Sequence, residues 1–174
     1  MKGSIVCLYG LLASCVPVRA FTVRGAGHGA PLTKRFSLSM CEPGDFTVAI
    51  LGDLHLDPRH MNDHNQGRHH FLANVLENGD KKNAAVVSLG DLGESRDCDK
   101  SGSLFAGTSK CFRLARAFLD GFKVPFEVIS GNHDLEGIDE FKTDEANMEA
   151  YLSAFSKTTP HFKREIADKT LLIG

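Results

Sequence analysis

Three short apolar runs, each closed by a glycine and then by Asp or Asn, constrain the fold of this chain more than any other feature. Short, nearly continuous runs rich in β-branched residues predict strands that are buried on both faces of a sheet. A fourth apolar run lies at residues 170–174. The three runs and their closing pairs are residues 46–51 with Gly52-Asp53, residues 84–89 with Gly90-Asp91, and residues 126–130 with Gly131-Asn132.

Helical segments separate these predicted strands. Apolar residues recur at helical spacing near residues 69–77, 110–120 and 144–156. Strands that alternate with helices predict right-handed crossovers and a mostly parallel sheet. Because the carboxyl ends of parallel strands lie along one edge, where ligands usually bind, we expect the three closing polar residues to meet there.

The polar side chains at this predicted edge suit a metal ion. Asp53 and His55 are two residues apart, so in extended backbone they point to the same side. Asp91 adds a carboxylate able to bridge two ions, and Asn132 adds a neutral carbonyl oxygen. Oxygen and nitrogen donors without thiolate favour Mn²⁺, Fe or Zn²⁺ over a cysteine-type structural zinc.

His133 and Asp134, directly after Asn132, suit acid catalysis. Two metal ions a few ångströms apart can make hydroxide from a shared water and clamp the oxygens of a phosphoryl group. His133 is placed to protonate the leaving oxygen. We expect Asp134 to orient the His133 ring by accepting its other N–H.

Together the blocks Gly52-Asp53-Leu54-His55, Gly90-Asp91-Leu92-Gly93-Glu94 and Gly131-Asn132-His133-Asp134 resemble those of the calcineurin-like metallophosphoesterases. The resemblance runs from about residue 46 to the end of the chain. It implies an α/β fold of the layered α+β kind, a β-sandwich with flanking helices of the metallo-dependent phosphatase type. It also implies two divalent metal ions and hydrolysis of phosphate monoesters or diesters by a metal-bound water.

Carried over residue by residue, the resemblance assigns roles to this chain. Asp53 and His55 bind the first metal ion, Asp91 bridges both, and Asn132 binds the second. His133 donates a proton or contacts the phosphate. The implied metals are Mn, Fe or Zn, and the implied substrate is a phosphorylated small molecule or a phosphoprotein.

Departures from the family pattern narrow this prediction. Glu94 takes the place of the Tyr found in purple acid phosphatases, and residues 94–96 do not reproduce the Asp-Arg-Gly segment of the protein Ser/Thr phosphatases. Family members also supply histidines from a late Gly-His-x-His, whereas the only late histidine here is His161. We therefore expect residues 42–174 to be a phosphoesterase domain that lacks its C-terminal part.

This missing part keeps other functions open. One alternative is a non-catalytic, metal-free scaffold or a truncated inactive fragment, which metal analysis of the purified chain distinguishes from an enzyme. Another is a cyclic-nucleotide or nucleotide phosphodiesterase, which a substrate panel distinguishes.

Residues 1–41 have the composition of a targeting leader. Residues 1–20 predict a signal peptide, with a short basic start, an apolar run too short to span a bilayer, and Val18-Arg19-Ala20 as cleavage site. Residues 21–41, which begin with Phe21 and contain no acidic residue, resemble a plastid transit peptide of the bipartite algal type. The alternative is a secreted or endomembrane protein with a disordered N-terminal tail. Neither reading leaves a membrane anchor after cleavage.

The overall charge of −2 hides an acidic body. Residues 1–41 hold 5 of the 20 basic residues and none of the 22 acidic ones, so residues 42–174 carry a balance of −7. This balance argues against non-specific binding of nucleic acid. It gives no indication of oligomeric state.

The remaining histidines and cysteines carry weaker predictions. His60 and His64 fall in a predicted polar loop, and His69 and His70 open the first predicted helix. We expect these four to neighbour the site rather than bind metal. Residues 95–109 predict a loop over the site. Cys98 and Cys111 are expected to be reduced thiols, with a redox-sensitive disulfide as the alternative.

Overall fold

The computed structural model describes residues 3–8, 46–73, 84–98, 100–167 and 170–174. The predicted transit segment at residues 21–41 lies outside them. In chain order the elements are β1 (Gly3–Leu8), β2 (Phe46–Leu51), α1 (Met61–Phe71), β3 (Ala84–Ser88), α2 (Ser109–Asp120), β4 (Phe126–Val128), a 3₁₀ turn (His133–Leu135), α3 (Asp144–Ala154), β5 (Lys163–Ala167) and β6 (Thr170–Ile173).

Strands β1, β2, β3 and β4 form a parallel sheet in that order, which confirms the mostly parallel sheet predicted from the alternating pattern. Every residue of β3, at the centre of the predicted strands, is buried. Strand β1 lies within the predicted signal peptide, whose cleavage remains a prediction. The carboxyl ends of β2, β3 and β4 therefore share one edge, as the sequence predicted.

Helices α2 and α3 lie within two residues of their predicted bounds. Each begins with a threonine cap: Thr108 accepts a hydrogen bond from the backbone of Cys111, and Thr143 accepts one from the backbone of Ala146. Their apolar faces join an aromatic cluster with edge-to-face contacts, as between Phe112 and Tyr151. The helices therefore flank the sheet as predicted, in a mixed α/β fold.

Helix α1 differs from the prediction. It spans Met61–Phe71, so the segment through His64 is helical rather than a loop. The first part of this helix was missed because its buried residues include a histidine, and because Arg68 packs over the ring of Phe118 and donates to its carbonyl. Neither residue contributes to an apolar periodicity. Residues 74–77 of the predicted helix lie outside the described residues.

The fourth apolar run does form a strand, but its partner was not predicted. Strands β5 and β6 pair antiparallel in a separate two-stranded sheet. β5 begins Lys163-Arg164-Glu165, and this charged sequence carries no strand signal. Arg164 anchors the hairpin to β4, because its Nε donates to Glu127 Oε1 at 2.7 Å. Within the described residues, no helix combines the length and apolar character needed to cross a membrane.

Candidate metal centre

The first loop follows β2 and carries Asp53 and His55. Leu54 and Leu56 on either side of His55 are buried, and the His55 backbone N–H donates to the carbonyl of Asp91 at 2.9 Å. His55 has a φ of +40°, so the expected extended backbone is wrong at this residue. Asp53 is exposed, and its side chain bonds to no other described residue.

The second and third loops touch each other closely. Gly90 has a φ of +92°, and a Cβ there would collide with the backbone of Gly131. A Cβ at Gly131 would collide in turn with the carboxylate of Asp91. Asp91 itself has a φ of +48°, a conformation that costs energy in a residue other than glycine. The two glycines therefore allow the third loop to lie against the carboxylate of Asp91.

Asp134 joins these two loops. Its buried carboxylate accepts hydrogen bonds from the backbone N–H groups of Asp91 at 3.0 Å, Leu92 at 2.9 Å and Gly131 at 2.8 Å. Burial raises the pKa of Asp134 to about 6, although the three N–H groups act in the opposite direction. The backbone N–H of His133 completes the junction by donating to Asp91 Oδ1 at 3.0 Å.

The expected contact between Asp134 and the His133 ring is wrong, because the oxygens of Asp134 accept from the backbone instead. His133 Nδ1 lies 2.7 Å from Glu136 Oε1 and 2.9 Å from Ser95 Oγ. The hydrogen bond with Glu136 raises the pKa of His133. Sequence reasoning missed Glu136, although the three-residue repeat of a 3₁₀ turn places it beside His133. The ring centroid of His133 lies 5.5 Å from that of His55.

The three blocks lie within one family match. The sequence model of the calcineurin-like phosphoesterases matches residues 46–172, well over half of the chain. This chain belongs to the calcineurin-like phosphoesterase family. Neither a curated protein nor a solved structure gives a significant match. Family membership implies metal-dependent hydrolysis of phosphate esters, generally with two divalent metal ions.

The chain brings some of its predicted site residues together and leaves others apart. His55, Asp91, His133 and Asp134 are linked by the contacts above, whereas Asn132 is exposed and its side chain bonds to no other described residue. Among the described residues, no group of three or more His, Cys, Asp or Glu side chains is close enough to hold a metal ion.

The side chains at this edge nevertheless have the types of donor atom that divalent cations bind. Carboxylate, imidazole and amide groups of the edge are oxygen and nitrogen donors. His55 and Asp91 are both held in left-handed backbone. Because Gly131 has no side chain, the Asp91 carboxylate occupies the space that a Cβ at residue 131 would take. Asp53, His55, Asp91 and Asn132 are the residues that would hold the divalent cations that family membership implies.

The other histidines and the cysteines of the phosphoesterase lie outside this arrangement. His64 is buried and packs edge-on against Phe118, with ring centroids 6.1 Å apart. Cys98 and Cys111 are free thiols. Burial raises the pKa of Cys98 to about 11 and also raises the pKa of Cys111, so both are protonated at neutral pH. Ser95 contacts His133, so the loop that starts at residue 95 does reach the site.

Proposed function

We propose that this chain hydrolyses a phosphate ester with two divalent cations held by Asp53, His55, Asp91 and Asn132. The single observation that carries the proposal is the position of the Asp91 carboxylate, fixed between the second and third loops. Bound cations would lower the pKa of a water molecule and neutralise charge on the phosphoryl oxygens.

Asp91 suits the bridging position for a geometric reason. Its Oδ1 accepts the backbone N–H of His133 at 3.0 Å, while Oδ2 accepts from no described residue. One oxygen thus orients the carboxylate, and the other is left for a ligand. A hydrogen-bonded carboxylate of this kind is held in one rotamer before any ligand arrives, which reduces the entropy lost on binding.

His133 suits the acid position because Glu136 holds one side of its ring. Nδ1 lies 2.7 Å from Glu136 Oε1, which leaves Nε2 for the substrate. The raised pKa favours the imidazolium, whose Nε2–H can be donated to the leaving oxygen. Ser95 lies beside the same Nδ1 and limits rotation of the ring.

Hydrolysis of an aryl phosphate in the presence of Mn²⁺ tests this proposal. Asp91→Asn should lower kcat/KM by roughly 100-fold or more, since enzymes lose this order of rate when one group that stabilises charge is removed. Asp139→Asn, at an exposed turn, is the matched control and should change the rate less than twofold. Full activity in Asp91→Asn, or activity that survives a chelator, would contradict the proposal.

Replacing Glu136 tests the role of His133. Glu136→Gln keeps an acceptor for Nδ1–H and removes the charge, so kcat should fall by only about tenfold, while Glu136→Ala should fall further. If both variants have the kcat of the wild-type protein, Glu136 has no role in the mechanism.

One observation favours a second candidate, a metal-free binding module. No described group of three His, Cys, Asp or Glu side chains is close enough to hold a metal ion. Metal analysis of the purified chain separates the two functions. Two equivalents of metal support the enzyme, and none supports the binding module.

We further propose that residues 1–41 direct the protein to a plastid through a signal peptide and a transit segment. The absence of acidic residues in this stretch supports the proposal. Fusing residues 1–41 to a fluorescent protein tests it. Fluorescence in the medium or the endoplasmic reticulum, rather than in the plastid, would contradict it.

A further inference from the structure

Arg59 is held by a buried carboxylate a few residues after the first metal-binding block. Its Nε lies 2.9 Å from Asp57 Oδ1 and 3.0 Å from Oδ2, and its Nη2 lies 2.6 Å from Oδ2. Asp57 is only 7% exposed, whereas the side chain of Arg59 is 48% exposed.

This ion pair does not join two elements of the fold. By contrast, Arg68 of α1 donates to the carbonyl of Phe118 in α2, and Arg164 of β5 donates to Glu127 in β4. The turn at Asp57 is already closed by backbone donors, because the N–H groups of Arg59 and His60 donate to Asp57 Oδ1 and to its carbonyl. The guanidinium contacts therefore fix the orientation of the arginine rather than the path of the chain.

Arg59 also lies beside the second loop of the site. Leu56 pairs with Gly93, and the N–H of Glu94 donates to the carbonyl of Leu56. The hydrogen bond to Asp57 raises the pKa of Arg59, and the nearby Glu94 carboxylate adds a smaller contribution. Nη1 of Arg59 donates to no described residue. A guanidinium bound to Asp57 through one edge thus keeps Nη1 without a partner among the described residues, and it does so three residues after Leu56, which pairs with the second loop.

We infer that Arg59 binds a second anionic group of the substrate and so selects phosphate esters that carry an additional carboxylate or phosphate. A guanidinium presents planar donors that match either anion, and one that is already immobilised loses little entropy on binding. The inference rests on the proposed function, since the first phosphate is expected at the cation-binding edge.

Binding of non-hydrolysable phosphonates tests this inference without any catalytic step. With Mn²⁺ present, calorimetry should show that 3-phosphonopropanoate and propane-1,3-bisphosphonate bind about tenfold more tightly than propylphosphonate. A preference for only one of the two identifies the second anion as carboxylate or phosphate. Arg59→Gln should abolish the preference, and Arg113→Gln, on the exposed side of α2, should retain it.

A second variant separates positioning from charge. Asp57→Asn keeps the positive charge of Arg59 but weakens its anchor, so the preference should fall to about threefold. A wild-type protein without any preference, or a preference that survives in Arg59→Gln, would overturn the inference. The two proposals can fail separately. If the protein does not hydrolyse an aryl phosphate but still binds the doubly anionic phosphonates more tightly through Arg59, the proposed function is wrong and this inference is retained.

Discussion

The candidate metal-binding edge is formed by the loops that follow β2, β3 and β4, and its two halves are held in different ways. The half that follows β3 and β4 is locked by hydrogen bonds between Asp134, the backbone of the second loop and Gly131. The half that follows β2 carries Asp53, whose side chain bonds to no other described residue, and leads into the polar helix α1. The locked half holds the side chains of the predicted bridging ligand and proton donor, whereas in the other half the Asp53 side chain is held by no described residue.

This difference has an energetic consequence. Removing a buried carboxylate leaves its donors unpaired in the interior, and each unpaired donor costs about 1–3 kcal/mol. Removing an exposed carboxylate leaves its surroundings in water at almost no cost. Substitution of Asp134 in the locked half should therefore reduce folding stability, whereas substitution of the exposed Asp53 should affect ligand binding alone.

The largest expected effect is at Asp134. Asp134→Asn keeps one accepting oxygen and replaces the other with an NH₂ group, so at least one of the three backbone N–H groups then faces another donor. The free energy of unfolding should fall by about 3–4 kcal/mol. Urea denaturation measures this change. Asp53→Asn is the matched control from the other half and should stay within about 0.5 kcal/mol of the wild type. Equal losses in both variants would contradict the contrast between the halves.

A smaller loss is expected at Gly90. Gly90→Ala strains a backbone with a φ of +92° and pushes a methyl group into the backbone of Gly131, so the loss should be about 2–3 kcal/mol. Gly102 also has a positive φ, +83°, but a Cβ there meets no atom within 4 Å. Gly102→Ala should therefore cost only about 1 kcal/mol. A similar cost in both variants would show that the two loops do not need this close contact.

The smallest expected effect is a pH dependence in helix α1, which follows the β2 half of the edge. Burial lowers the pKa of His64 below its usual 6.5. Between the lowered pKa and pH 6.5, His64 is therefore protonated in the unfolded chain and neutral in the folded chain. The stability contributed by neutral His64 is present above pH 6.5 and is lost as the pH falls toward the lowered pKa. The loss should be under about 1.4 kcal/mol per pH unit.

Urea denaturation at pH 7.5 and at pH 5.5 measures this dependence. His64→Gln should flatten it, and the exposed His69→Gln should leave it unchanged. An equally steep dependence in His64→Gln would show that other groups cause the loss at low pH.

The same contrast explains which features the sequence predicted. Strand β2 and helices α2 and α3 were found because apolar periodicity reports directly on a buried face. Helix α1 was misplaced because its buried face includes His64, and the partner of His133 was misassigned because sequence adjacency favoured Asp134 over Glu136. The left-handed backbone of Asp91 was not predictable, since that conformation ordinarily favours glycine.

Paramagnetic broadening by Mn²⁺ tests the central claim most directly, because it locates the cation without requiring turnover. In NMR spectra of the wild-type protein, the amide signals of Asp53, His55, Asp91 and Asn132 should broaden first as Mn²⁺ is added. Those of β5 and β6 should stay sharp at the same concentration. Broadening centred on the histidines of α1, or no selective broadening at the strand ends, would contradict a metal site at this edge.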